Sequence, residues 1–519
     1  MIFTDPFFLF VFLPAACVAF HILGRYGPTA GLGVILATSI LFYLPWGWTT
    51  TFLLLASIAV NFFVGSALLR VATLARRTRI AALTFGQLYN FTTLVLFKYH
   101  LFAGLWMVSS QAVAPDWIIP AGISFYTFHQ AAFLADAYAR EESVVAYLGD
   151  MGTTAKLGGS FVRYAAFVAF FPQLVIGPIT YLKEFQPQTG SGFGRIRYVN
   201  LSVGFALIAI GIFKKIVIAD NLALIADPVF AGAALQKSIH PLIAWMGVAA
   251  YYMQLYFDFS GYSDIALGLA RIFGIRYPVN FFSPLKAVGI IDYYRRWHMT
   301  LTRVISRFLF TPLSLIGTRF AMRRRWAVVP TKILGLWLPL IINFEVIGLW
   351  HGAITTFIVF GLIHGTWYVI ETETRASKRW KAWKKRTPDA RRALYGRIIF
   401  IALMPLTFAL FRSQSLGAAD FLGTQLLAGG RATDFAFEPL RAAGEIAAAF
   451  AVIYLLPNSI ELLWNYRPGL MTYPNPSYGP KLLQFRWRPN WPWMLFYGFL
   501  ITICIYYMYR QPPFLYQGF

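Results

Sequence analysis

Seven histidines stand in this chain of 519 residues, and two of them sit where they could do chemistry. His351 lies in NFEVIGLWHGAITTFIVFGLIHGTW, whose apolar neighbours place it in a membrane segment, at the start of a helix. An ionisable group there costs about 2.5–3.5 kcal/mol on insertion scales and is a functional candidate by default. Imidazole is the natural general base near neutral pH, and a hydroxyl attacking a thioester needs one. Gly352 directly after it would let a substrate or another backbone come close. The competing reading is a structural histidine bonded to a carbonyl.

His298 lies in IIDYYRRWHMTLTR, beside Arg295, Arg296 and Trp297. Two guanidiniums at that distance would favour the neutral ring, which accepts a proton. Their planar forks also match the phosphate oxygens of a nucleotide or a phosphopantetheine. The plainer alternative is a basic cluster that only sets topology. Trp297 and Trp350, each directly before a histidine, are packing residues first and secondary candidates for donor binding. His364, thirteen residues after His351, would face away from it on one continuous helix and is given a packing or supporting role. His129, in AGISFYTFHQAAF, is a candidate to line a passage, whereas His21, His100 and His240 are isolated. No pair has the i,i+4 spacing of a helical zinc site and no HExxH occurs, so no metal is expected.

Two carboxylates complete the set. Asp258 and Asp264 stand in YYMQLYFDFSGYSDIALGLARIFG. Asp258 and Ser260 could line a polar passage, and Asp264 could pair with Arg271 or with an arginine after 295. A structural ion pair is the favoured reading. Ser260 is no nucleophile elbow, because Asp258 occupies the place of the first glycine of GxSxG. Glu345 is near His351 in sequence but does not share its helical face.

The elements that must hold these residues follow from composition. Hydrophobic residues make up 58% of the chain and charged residues only 13%, against about 45–50% apolar and 25% charged in soluble domains. That excludes a soluble enzyme, a disordered chain and a single-span anchor, and long apolar runs argue against a β-barrel. The expectation is an all-α polytopic membrane protein. Fourteen apolar runs can span or re-enter, among them 7–24, 30–48, 51–69, 80–109, 199–219, 242–257, 260–275, 330–347 and 350–371. They predict one transmembrane domain over 1–519, with about 11–14 membrane or re-entrant helices. The first run lacks a basic leader and reads as a retained span.

Lys and Arg number 45 against 21 acidic residues, a net charge of +24. On a membrane protein this reflects basic cytoplasmic loops, not nucleic-acid binding. Eight arginines between 295 and 325 have no acid among them. With Pro278, Pro284 and Pro312, they mark 276–329 as a re-entrant, amphipathic cytoplasmic segment. Segment 371–397 has ten basic and three acidic residues and reads as a basic cytoplasmic loop, its Trp380 and Trp383 suited to an anionic leaflet. Segment 467–493, with six prolines, reads as an extended loop. Cys17 and Cys504 lie in apolar stretches and offer no disulfide framework.

The ordered segments AGISFYTF (121–128), FFPQLVIGPI (170–179), GIFKKIVIAD (211–220), YFDFSGYSD (256–264), RRWH (295–298), GLWHGA (348–353), FRSQSL (411–416) and the terminal FLYQGF resemble the membrane-bound O-acyltransferase family. The likeness is to its bacterial branch of alginate O-acetylation and D-alanyl transfer proteins. It implies a ring or horseshoe of tilted helices around a central tunnel in the bacterial inner membrane. It also implies that the family's invariant histidine is His351 and its second conserved position His298. Acetyl-CoA or another acyl thioester, carried by CoA or a carrier protein, would arrive from the cytoplasm without a resident cofactor. The acyl group would pass toward hydroxyls of an extracytoplasmic polysaccharide, by way of a periplasmic acyltransferase partner. Alternatives are D-alanyl transfer from a carrier protein and, in another class, a transporter or export channel. The chain departs from the branch at Val304, Ser306 and Arg307, where Trp, Arg and Asp are usual, which leaves the acceptor open.

Overall fold

A computed structural model of the chain describes residues 1–70, 75–98, 119–148, 154–352, 354–430, 437–470, 485–510 and 515. His100, the far end of the 80–109 run, the middle of the proline-rich 467–493 stretch and most of the terminal FLYQGF lie outside them. The described residues are helical, with one isolated β-bridge between Pro278 and Leu470. Eight of their helices are long and apolar enough to cross a membrane.

The first three, Phe8–Tyr26, Pro28–Trp46 and Trp48–Leu69, follow one another with a single glycine at each junction. Gly27 and Gly47 sit at φ 134° and 111°, where a Cβ is strained, so only glycine turns the chain that sharply. The 242–257 and 260–275 runs, expected as separate elements, form one helix, Pro241–Ile272, buried from Ala250 through Ile272. Its 32 residues make a rod about 48 Å long. Asp258 therefore stands mid-helix instead of at a break.

That rod packs along Tyr198–Ala234, and glycines set the spacing. A Cβ on Gly211 would lie 2.6 Å from the Gly261 carbonyl oxygen, and one on Gly261 2.8 Å from that of Gly211. Gly204 and Gly268 repeat the arrangement at 2.8 and 2.6 Å. In lipid, where helix pairing depends on van der Waals contact, such small residues let two backbones touch.

The 276–329 segment divides in two. Residues 276–298 form a buried loop with two short helical turns, Pro284–Lys286 and Ile290–Tyr294. From there Met299–Arg323 runs on as a 25-residue helix long and apolar enough to span. Segment 371–397 is helical as well. Lys378–Arg386 is a separate helix between Ser377, whose hydroxyl caps it, and the Thr387–Pro388 break.

Candidate active site

His351 is the last residue of the helix Val328–His351, a correction to its expected place at the start of one. The chain breaks there, and the next helix, Thr355–Ala376, returns alongside. A Cβ on Gly348 would meet the Phe357 carbonyl oxygen at 2.3 Å and one on Gly361 that of Phe344 at 2.7 Å, so the hairpin closes only because both lack side chains. Gly352 belongs to the same packing, since a Cβ there would touch the Phe357 ring at 3.0 Å. The His351 imidazole is held edge-on by Phe411 and Trp350, each 4.8 Å away between centroids.

His298 caps the start of Met299–Arg323 in the left-handed region, at φ 44°, ψ 48°. Its orientation comes from Asn280. The Asn280 amide nitrogen donates to Ser263 Oγ at 3.3 Å, which turns its oxygen toward His298 Nδ1, 3.1 Å away. The same oxygen accepts from the Thr300 hydroxyl at 2.9 Å and the Thr300 N–H at 3.3 Å. Nδ1 therefore carries the proton, and Nε2 is the accepting nitrogen that general-base chemistry needs.

The two histidines meet across a cavity of about 30 Å³, room for about one water. Tyr294, Thr302 and Ile347 line it and also a cavity of about 350 Å³ that extends past Arg295 and Asn343 to Thr372. His351 lines it and also a cavity of about 320 Å³ bounded by Trp46, Lys98 and Trp350. Three spaces thus stand in line, with the histidines at the narrowest. On the helix Val328–His351 the 350 Å³ space is lined by Leu336, Leu340, Asn343 and Ile347, and the 320 Å³ one by Trp350 and His351. Val328–His351 begins about 36 Å from His351, beside the Arg319–Arg325 cluster.

His364 belongs to the second helix of the hairpin, so rotation about a single axis does not apply to it. Thr407 gives its hydroxyl proton to the Met404 carbonyl at 2.8 Å. It therefore accepts from His364 Nε2 at 2.9 Å, and His364 Nδ1 accepts from the Tyr294 hydroxyl at 2.6 Å. His364 holds the tyrosine that walls the narrow cavity. His129 is fully buried, its Nε2 accepting from the Thr180 N–H at 3.3 Å, and it lines none of these spaces.

The arginines after 295 are less available than their sequence suggests. Arg296 turns back to Asp292 at 2.8 Å, Arg303 meets Glu184 and Arg307 meets Asp136. Of the adjacent pair only Arg295, exposed, reaches the 350 Å³ cavity. Neither guanidinium is what sets the His298 ring; Asn280 is. Trp297 lines the narrow cavity and Trp350 the 320 Å³ one.

Asp258 and Ser260 line none of these cavities. Asp258 pairs with Lys215 at 2.8 Å, and Lys215 reaches Asp220 at 2.7 Å. Asp264 pairs with Lys214 at 2.6 Å and accepts from the Ser459 hydroxyl at 2.7 Å. The arginine partners expected for Asp264 are thus replaced by a lysine. Two consecutive lysines reach carboxylates six residues apart because Phe213–Ala219 is a π-helical turn, a feature that locally re-aims side chains.

Sequence reasoning missed Asn280, Lys98 and the two core lysines. Lys98 carried the signal that singled out His351, an ionisable group in an apolar run. Asn280, uncharged and in a loop, carried none. Among the described residues no group of three or more His, Cys, Asp or Glu could hold a metal ion.

Fold and site together define a polytopic helical membrane protein that buries two histidines at the waist of a line of cavities. A sequence model of the membrane-bound O-acyltransferase family matches residues 81–404, and the chain belongs to that family. It is 36% identical over 334 residues to a peptidoglycan O-acetyltransferase of Helicobacter pylori, covering 60% of this chain and 62% of that one. Against a probable alginate O-acetylase of Pseudomonas aeruginosa it is 36% identical over 332 residues, 62% and 58% of the two chains. A teichoic acid D-alanyltransferase of Bacillus subtilis is 31% identical over 185 residues, 34% and 46%. The chain thus spans about three fifths of the first two relatives.

Proposed function

We propose that this protein is an O-acyltransferase of the bacterial inner membrane. It takes an acyl group, acetyl by preference, from a thioester on the cytoplasmic side and passes it to a hydroxyl on the other face, toward an extracytoplasmic polysaccharide and by way of a periplasmic partner. The observation that carries this is the line of cavities with His351 and His298 at its waist. The 350 Å³ space, on the side of the basic segments, receives the thioester arm, and Arg295 at its wall meets the donor's phosphate. The hydroxyl enters from the 320 Å³ space.

His351 takes the hydroxyl proton as the oxygen attacks the thioester carbonyl. The tetrahedral intermediate collapses, the C–S bond breaks, and the thiolate leaves with that proton. His298, fixed by Asn280, shapes the same waist. Family membership and the names of the O-acetyltransferase relatives support this reading.

The test is purified protein with labelled acetyl-CoA. His351-dependent thioester consumption is expected, and His351→Ala should abolish acylation of the cell-surface polymer at unchanged expression. Turnover with a loaded acyl carrier but none with CoA thioesters would replace acetyl transfer by D-alanyl transfer, the activity named for the Bacillus relative. Full activity of His351→Ala would point to a transporter instead.

A further inference from the structure

A second group of cations gathers at one end of the two longest helices. Gly274, at φ 81°, closes Pro241–Ile272 with a Schellman turn: its N–H bonds the Arg271 carbonyl and the Ile275 N–H bonds that of Ala270, each at 2.9 Å. The turn brings Arg276 back toward Arg271. Gln188 fixes it there, its amide oxygen accepting from the Arg276 N–H at 2.8 Å and its amide nitrogen donating to the Arg276 carbonyl at 2.9 Å. Because Gly204 packs on Gly268, the start of Tyr198–Ala234 stands at the same end, with Arg197 directly before it. Arg197 and Arg276 both act on the Arg271 guanidinium as like charges.

Arg271 is only 8% exposed, and its Nη2 donates to the Tyr466 carbonyl at 3.3 Å. That carbonyl and the negative end of its own helix offset its charge in part, and the two added guanidiniums work against both. Arg197 in turn occupies a helix N-terminus, where an anion is preferred. The chain that continues from Leu470 over 471–484 adds Lys481 and no acidic residue. Topology asks for basic residues in cytoplasmic loops, not for one buried against two others. The surface beside Arg197 is apolar: Tyr198 is 81% exposed, and Ile196, Val199 and, two turns along the helix, Phe205 are exposed as well. In a membrane protein such residues face acyl chains, with tyrosine at headgroup depth.

We infer that Arg197, Arg271 and Arg276 form a site for the phosphate of an anionic glycerophospholipid in the cytoplasmic leaflet. Guanidinium forks match phosphate oxygens two at a time, and a basic pocket between transmembrane helices on this side suits such a headgroup. The phosphate relieves the repulsion among the three arginines, and the acyl chains lie along Tyr198 and Phe205. None of the three lines the waist or its two neighbouring cavities, so the site stands apart from acyl transfer.

The experiment is lipid binding to the purified full chain in a neutral detergent. Dioleoyl phosphatidylglycerol is the probe, dioleoyl phosphatidylcholine its zwitterionic counterpart and inorganic phosphate the free anion. Phosphatidylglycerol should bind saturably and raise the melting temperature, and the other two should do neither at equal concentration. Arg197→Gln combined with Arg276→Gln should keep about a tenth of the affinity or less. Its melting temperature without lipid should equal or exceed that of the wild type, because like charges have been removed. Lys384→Gln with Lys385→Gln, on the helix Lys378–Arg386, should bind as the wild type does. Unchanged affinity in the arginine variant, an equal loss in the lysine variant, or equal stabilisation by phosphatidylcholine would overturn the site. Stabilisation by inorganic phosphate alone would overturn the lipid as its occupant, and a marked fall in the lipid-free melting temperature of the arginine variant would reduce the cluster to a structural one.

Discussion

His298 Nδ1 donates to the amide oxygen of Asn280 at 3.1 Å, and Asn280 is itself pinned by Ser263 and Thr300. Thr300 also accepts the backbone N–H of Ile179 at 3.2 Å, which ties the loop after FFPQLV to the same network. Four segments far apart in sequence therefore converge on one imidazole. Aromatic rings pack on it as well, Phe259 at 4.8 Å and Trp350 at 6.0 Å between centroids.

Asn280→Ala removes that acceptor and frees the ring to turn. Thioester consumption should fall on the order of ten- to a hundredfold, the scale of a misplacement at the waist where His351 is the base. Asn280→Asp keeps an oxygen toward Nδ1 and should retain most of the rate. Equal loss in both variants, measured by initial rates at saturating donor, would mean that the amide does not orient the ring.

Ile347 walls both the narrow cavity and the 350 Å³ one. Ile347→Trp should fill the waist. Transfer should drop to background while donor still binds, with an overpacking cost of about 1–3 kcal/mol. Normal transfer by a folded Ile347→Trp protein would place the acyl route elsewhere.

Lys215→Met leaves Asp258 and Asp220 buried without their cation. Removing one partner of a buried pair costs about 3–5 kcal/mol, so the melting temperature in detergent should fall clearly. Adding Asp258→Leu should restore part of it. Recovery in the double variant separates ion pairing from loss of bulk.

Gly261→Val drives a side chain into the Gly211 carbonyl and should part the two longest helices, lowering thermal stability. Gly423, with no atom within 4 Å of its notional Cβ, is the control, and Gly423→Val should be close to neutral. Similar melting temperatures for the two would contradict the close contact.

Much of this was legible in the sequence, for identifiable reasons. Apolar content gave the helical membrane class, and the cost of an ionisable group in lipid drew attention to His351, His298 and Asp258. What stayed hidden depends on partners distant in the chain. Arg303 and Arg307 looked unaccompanied because Glu184 and Asp136 lie more than a hundred residues away. Lys214 and Lys215 were not paired with Asp264 and Asp258, since nothing in FKKIVIA announces the π turn that aims them. The place of His351 at a helix end was missed because apolarity continues through the break.

The waist of about 30 Å³ has an electrical meaning. With wider spaces on both sides, most of a transmembrane voltage would fall across that short septum, and moving one charge through 100 mV takes about 2.3 kcal/mol. A neutral acyl group crosses it without electrical work. A proton or a carboxylate does not, so the proposed transfer through the waist need not act as a leak for the gradient that separates the two compartments.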